Sequence, residues 1–119
     1  MFTIAVRWLD EEKSRASFNL PARLEWKAEH ITALIQVLSE IRAEMTPEVP
    51  KDPPPPHKVE ALHDPRYATQ LHEFSGGTLL EFRHPSLGWF EFVLPSMERR
   101  RMTHFLAQQE AEWQRYRRI

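Results

Sequence analysis

Apolar and polar positions alternate along five short stretches of this chain, and along two longer ones the apolar residues recur every three or four positions. Phe2, Ile4, Val6 and Trp8 alternate with Thr3, Ala5 and Arg7, the period of a strand with one buried face. The charged run Asp10-Glu-Glu-Lys-Ser makes a turn, and Ala16, Phe18 and Leu20 return in phase, so a first hairpin is expected. From about Leu24 to Met45, the residues Ile31, Leu34, Ile35, Leu38, Ile41 and Met45 form one helical stripe. Glu25 and Glu29 stand near its start, where the helix dipole favours negative charge, and Pro47 and Pro50 end it. Trp26 and His30, in the first turns, read as a packed staple.

The stretch from Tyr67 to Leu94 carries the strongest pattern. Gly76-Gly77 stands between two strand-like runs and supplies the φ > 0 positions that a two-residue hairpin turn needs. With Ser75 facing Thr78, the expected cross-strand pairs are Phe74 with Leu79, His72 with Glu81 and Gln70 with Arg83. Tyr67, Thr69, Leu71, Leu80 and Phe82 then share the other, mostly apolar face. A third strand follows in Trp89-Phe-Glu-Phe-Val-Leu; a five-residue loop sets Phe82 opposite Phe92 and Arg83 opposite Glu91. A three-stranded meander is predicted.

A second helix is expected from Ser96 to about Arg117, with Ser96 as N-cap and Met102, Phe105, Leu106, Gln109, Trp113 and Tyr116 on one face. Phe18-Asn-Leu-Pro precedes the first helix and Phe92-Val-Leu-Pro the second, which suggests that each helix leaves a strand by the same turn. The expected fold is α+β: a two-layer sandwich of about five mainly antiparallel strands, in the order ββα then βββα, with both helices on one face. The chain reads as a single domain over 1–119, with a Pro-rich linker at 46–65 whose four successive prolines favour polyproline II. That segment is a stiff connection or, alternatively, a ligand for an aromatic-grooved module.

Composition narrows the chemistry. A chain of 119 residues with 41% hydrophobic and 11% aromatic residues is folded and buries one core. It contains no cysteine, which removes disulfides, thiolate metal sites and thiol nucleophiles and fits a reducing compartment. No run approaches the roughly 18 apolar residues of a membrane span, and the N-terminus has no signal-peptide core, so a soluble cytoplasmic protein is expected. Net charge is −1, but residues 1–65 carry 8 Lys+Arg against 11 Asp+Glu, whereas 96–119 carry six arginines against three glutamates.

No motif points to catalysis, a cofactor or a metal. Among the six histidines there is no HExxH and no i,i+4 helical pair, and His72 and His84 fall on opposite sheet faces. His63-Asp64, in a loop with His57 upstream, is a common dipeptide; a small enzyme using His63, His72 or His84 is the weakest of three readings. Glu81 and Glu91 are near one another, each with a basic neighbour in the expected register, and no GxSxG, GxGxxG or GxxxxGK[ST] is present. Arg99, Arg100, Arg101, Arg115, Arg117 and Arg118, interleaved with Trp113 and Tyr116, offer a nucleic-acid-binding alternative through phosphate contact and base stacking. Against it stand a pI of about 6.6 and the placement of Trp113 on the apolar stripe.

The favoured reading is a non-catalytic binding or adaptor protein acting through protein–protein contact, self-association as a homodimer being one form of it. The register that buries Leu80, Phe82, Phe90 and Phe92 leaves Phe74, Leu79, Trp89 and Val93 on the outer sheet face. Those four residues are the expected association surface.

Overall fold

The computed structural model describes residues 3–23, 25–55 and 60–118, which form two compact units, Met1–Glu60 and Ala61–Ile119. The division falls inside the Pro-rich linker; of that segment, Pro56, His57, Lys58 and Val59 lie outside the described residues. Among the described residues, two helices and two antiparallel sheets make the protein α+β. The strands do not join in the single five-stranded sheet expected from their alternation: among the described residues, two strands pair in one sheet and three in another.

In the first unit, strands β1 (Arg7–Trp8) and β2 (Ala16–Ser17) pair with Trp8 opposite Ala16. Ile4, Val6 and Trp8 are half-buried while Thr3, Ala5 and Arg7 are exposed, so the alternation holds although only two residues of it form ladder bonds; Phe2 lies outside the described residues. Asp10 builds the turn: Oδ1 accepts the Ser14 amide at 2.8 Å, Oδ2 accepts the Ser14 hydroxyl, and Lys13 takes φ 57°. Helix α1 (Ala28–Glu44) begins four residues later than its periodicity indicates, because the polar end is organised around His30. His30 Nδ1 accepts the Lys27 amide at 3.1 Å and its ring meets Trp26 edge-on at 6.4 Å, which is the expected staple. Thr46, just past the helix, donates from its amide to the Lys13 carbonyl and from its hydroxyl to Glu12. Val37 and Ile41 of α1 line a cavity of about 290 Å³ with Ile4, Val6 and Trp8, and Ile41 is the one buried apolar side chain among the described residues.

In the second unit, β3 (Tyr67–His72), β4 (Gly77–His84) and β5 (Gly88–Leu94) form the predicted meander in the order β3-β4-β5. Its register differs from the sequence expectation. The first turn spans four residues, Glu73 to Gly76, closed by the Gly76 amide to the His72 carbonyl at 2.9 Å, so Gln70 faces Leu79 and His72 faces Gly77. Phe74 is therefore not opposite Leu79, nor His72 opposite Glu81, nor Gln70 opposite Arg83. The second loop has three residues, Pro85 to Leu87, which places Phe82 opposite Phe90 and Arg83 opposite Trp89. Both shifts are by an even number of residues, so every side chain that stays within a strand keeps its expected face, while Phe74 and Ser75 pass into the turn.

Helix α2 spans Ser96–Arg117, as the periodicity predicts, but Pro95 occupies the N-cap position and Ser96 is the first helical residue. The shared-turn expectation fails: α2 starts directly after Pro95, whereas α1 starts seven residues beyond Pro21.

The two glycines do different work. Gly76 takes φ 75° with open space where a Cβ would stand, while a Cβ on Gly77 would meet the Leu94 carbonyl oxygen at 2.4 Å. Gly77→Ala should lower stability by about 1–3 kcal/mol, because backbone must move; Gly76→Ala should lose about 1–2 kcal/mol through its dihedral alone. Urea denaturation of both variants checks the order, and substituting D-alanine at 76 should leave the midpoint unchanged.

Asp10 makes a second prediction. The Ser14 hydroxyl, then the Ser14 and Arg15 amides and the Arg15 charge, hold its carboxyl below the ordinary value against the opposing effect of lost hydration. A depressed folded pKa adds stability above the unfolded carboxylate value, lost as pH falls through the folded one. Ser14→Ala should raise the Asp10 titration midpoint by NMR and shrink the acid-side loss of the hairpin.

Candidate functional site

The three-stranded sheet has two faces of different chemistry. The outer face carries Ala68, Gln70 and His72 from β3, Leu79, Glu81 and Arg83 from β4, and Trp89, Glu91 and Val93 from β5. The inner face carries Tyr67, Thr69 and Leu71, then Thr78, Leu80, Phe82 and His84, then Phe90, Phe92 and Leu94.

Three of the four expected outer-face residues lie where the parity puts them. Leu79 and Val93 are direct cross-strand partners, Leu79 half-buried and Val93 49% exposed. Trp89 is 48% exposed but stands about 13 Å along β5 from Val93, opposite Arg83. Phe74 is not on the sheet at all: it sits at the tip of the first turn, 99% exposed, with its ring 6.0 Å from that of His72. Between the two apolar clusters, Glu81 and Glu91 face each other across β4 and β5. The basic partners expected for them are displaced by the register, and neither forms an ion pair among the described residues. Like charges directly opposite are mildly destabilising.

The inner face is partly covered by α2. Arg99, half-buried, donates from Nη1 to the Gly76 carbonyl at 3.0 Å and to Thr78 Oγ1 at 3.2 Å, tying the helix start to the first turn. From there α2 runs over β4 and β3, and the space between helix and sheet is a groove of about 670 Å³. Its walls include Tyr67, Leu80 and Phe82 below and Met102 and Leu106 above. The β5 column of Phe90 and Phe92 lies outside this groove, and both rings are exposed. Periodicity missed this opening, since it treats an apolar face as a covered one.

The six arginines do not form one surface. Arg99 is engaged with the turn, and Arg101 pairs with Glu98 at 3.0 Å. At about 100° per residue, Arg100, Arg115 and Arg118 fall on the side of α2 opposite Met102, Leu106 and Trp113. Arg117 lies nearer the Trp113 side. Aromatics and most free cations thus point in different directions, rather than being interleaved on one face.

The histidines are also separated. His72 Nδ1 lies 2.7 Å from Ser75 Oγ on the outer face. His84, on the inner face, accepts the Ser86 and Leu87 amides at Nδ1, each at 3.1 Å, and so closes the second turn. His63 and Asp64 line a small groove of about 200 Å³ with Arg66 and Arg83. Among the described residues no group of three or more His, Asp or Glu is placed to hold a metal ion, and no helix is long and apolar enough to cross a membrane. His57 lies outside the described residues.

Comparison with protein-family models, curated proteins and solved structures finds no match to this chain.

Arg99→Ala should lower stability by about 1–2 kcal/mol, a charge-assisted pair of bonds discounted for partial exposure. Arg100→Ala should stay within about 0.5 kcal/mol. Urea midpoints check both, and faster amide exchange at the start of α2 should accompany only the first.

Proposed function

We propose that this protein is a non-catalytic binding protein that acts through protein–protein contact, in the cytoplasm. The observation that carries the reading is the state of the β3-β4-β5 sheet: both of its faces keep apolar side chains open, and none of its aromatic rings is buried. On the outer face the contact surface is Leu79, Val93 and Trp89, with Phe74 at the neighbouring turn. The opposed Glu81 and Glu91 add a specificity element. A partner that brings a Lys or Arg between them relieves their repulsion and gains a charge-assisted contact.

The nucleic-acid alternative keeps only Arg100, Arg115, Arg117 and Arg118, since Arg99 and Arg101 are engaged within the fold. It predicts affinity that falls steeply with salt.

In the double variant Leu79→Ser, Trp89→Ser, the protein should stay folded and lose crosslinking to partner protein from a photoreactive residue at Val93. A loss of several kcal/mol of stability would instead mean that these side chains are core, and the outer-face surface would be withdrawn. Titration with single- and double-stranded nucleic acid at low and moderate salt should show no salt-sensitive binding. A steep salt slope would favour the arginine reading.

A further inference from the structure

We infer that the inner face of the β3-β4-β5 sheet and the C-terminal half of α2 form a two-fold interface with a second copy of this chain. The inference rests on the protein-binding reading above and names one partner for it. In each copy, the overhanging helix end covers the β5 column of the other.

The first support is a mismatch of length. A strand of seven residues runs about 23 Å, whereas the 22 residues of α2 run about 33 Å. The groove residues of α2 end at Leu106. Residues 107–117 continue for about 16 Å, and Trp113, seven positions beyond Leu106, repeats its direction on the helix. The sheet-facing stripe therefore runs on past the groove that the helix forms with its own sheet.

The second support is reciprocity. One unit presents both halves of a contact: an open aromatic column, Phe90 and Phe92, and an uncovered helical stripe ending in Trp113 and Tyr116. A two-fold axis matches each half to its counterpart twice, which is how an isologous interface is made.

The third is area. Tyr67, Phe90, Phe92, Trp113 and Tyr116 are between 43% and 69% exposed. At about 150–250 Å² per ring they offer roughly 600 Å² per copy. Leu71 and Leu106, both more than half exposed, bring the total towards the roughly 800 Å² per partner of a stable interface. The outer face has no such continuity, because Glu81 and Glu91 interrupt it.

The absence of cysteine gives a clean test on the 119-residue chain. Sedimentation equilibrium should give twice the 14.2 kDa chain mass. Trp113→Glu and Phe92→Glu, each checked for folding by circular dichroism, should weaken self-association at least 100-fold, while Trp89→Glu on the outer face should not. Mixing Trp113→Cys with Phe92→Cys copies and oxidising should trap a mixed crosslinked dimer, a readout that does not require either Glu variant to fold. A dimer dispersed by Trp89→Glu, or one with no 113–92 crosslink, overturns the inference. So does a monomeric wild type, and carbene footprinting then separates two cases. If Phe90 and Phe92 are labelled, the dimer alone is wrong and protein binding stands with another partner. If they are protected in the monomer, the chain covers its own face, and the inner face is withdrawn from the protein-binding reading as well.

Discussion

No side chain fits at residue 77, and the second unit is arranged around that fact. The Leu94 carbonyl at the end of β5 passes so close to Gly77 that a Cβ there would lie 2.4 Å from its oxygen. One residue earlier, Gly76 turns the chain with a positive φ, and its carbonyl accepts Arg99 from the first turn of α2. The β3–β4 turn, the exit from β5 and the start of the helix therefore meet at one corner. The close approach brings the end of the sheet near the turn, and Arg99 then fixes where the helix begins its path over β4. A larger residue at 77 would disturb all three together.

Faces were legible in the sequence, whereas partners were not. Alternation states which side of the sheet a residue occupies, and an even slip leaves that unchanged, so Tyr67, Leu80, Phe82, Phe90 and Phe92 share a face in both registers. Pairing depends instead on how many residues a turn consumes. Reading Gly76-Gly77 as the turn itself assigned both glycines the same role, when one provides backbone freedom and the other provides room. The Pro85 loop hid a similar surprise: His84 closes it by accepting two amides, a role that hydropathy does not register. Once the register moved, the expected charge pairs dissolved and Glu81 came to face Glu91.

The two helices differ in how far periodicity specifies them. The 22-residue span of α2 follows from unbroken periodicity between Pro95 and the end of the stripe. The later start of α1 does not, because Lys27, Trp26 and His30 set it through polar and ring contacts. The candidate site was partly visible for the same reason that the faces were. Leu79, Trp89 and Val93 lie on the outer face by parity, but Phe74 was lost to the longer turn. The inner opening was discoverable by arithmetic on element lengths alone. A helix of 22 residues outruns strands of six to eight, and Trp113 and Tyr116, which resume the stripe past Gln109 and beyond its own sheet, need something else beneath them.

Size gives that requirement its force. A unit of about 60 residues buries only about 60% of the surface its unfolded chain exposes, so it has little apolar area to leave in water. Here the groove beneath the single helix meets the third strand only at Leu94, and Phe90 and Phe92 of that strand stay open. The two faces of the sheet then differ in what contact suits them. The inner face, mostly apolar with Thr69, Thr78 and His84 among its aromatic and aliphatic side chains, resembles half of a domain core, the composition found in interfaces that persist once formed. The outer face mixes Leu79, Val93 and Trp89 with Gln70, Arg83 and two opposed glutamates. Such a surface tolerates water when empty and discriminates by charge when occupied, which suits a partner that comes and goes.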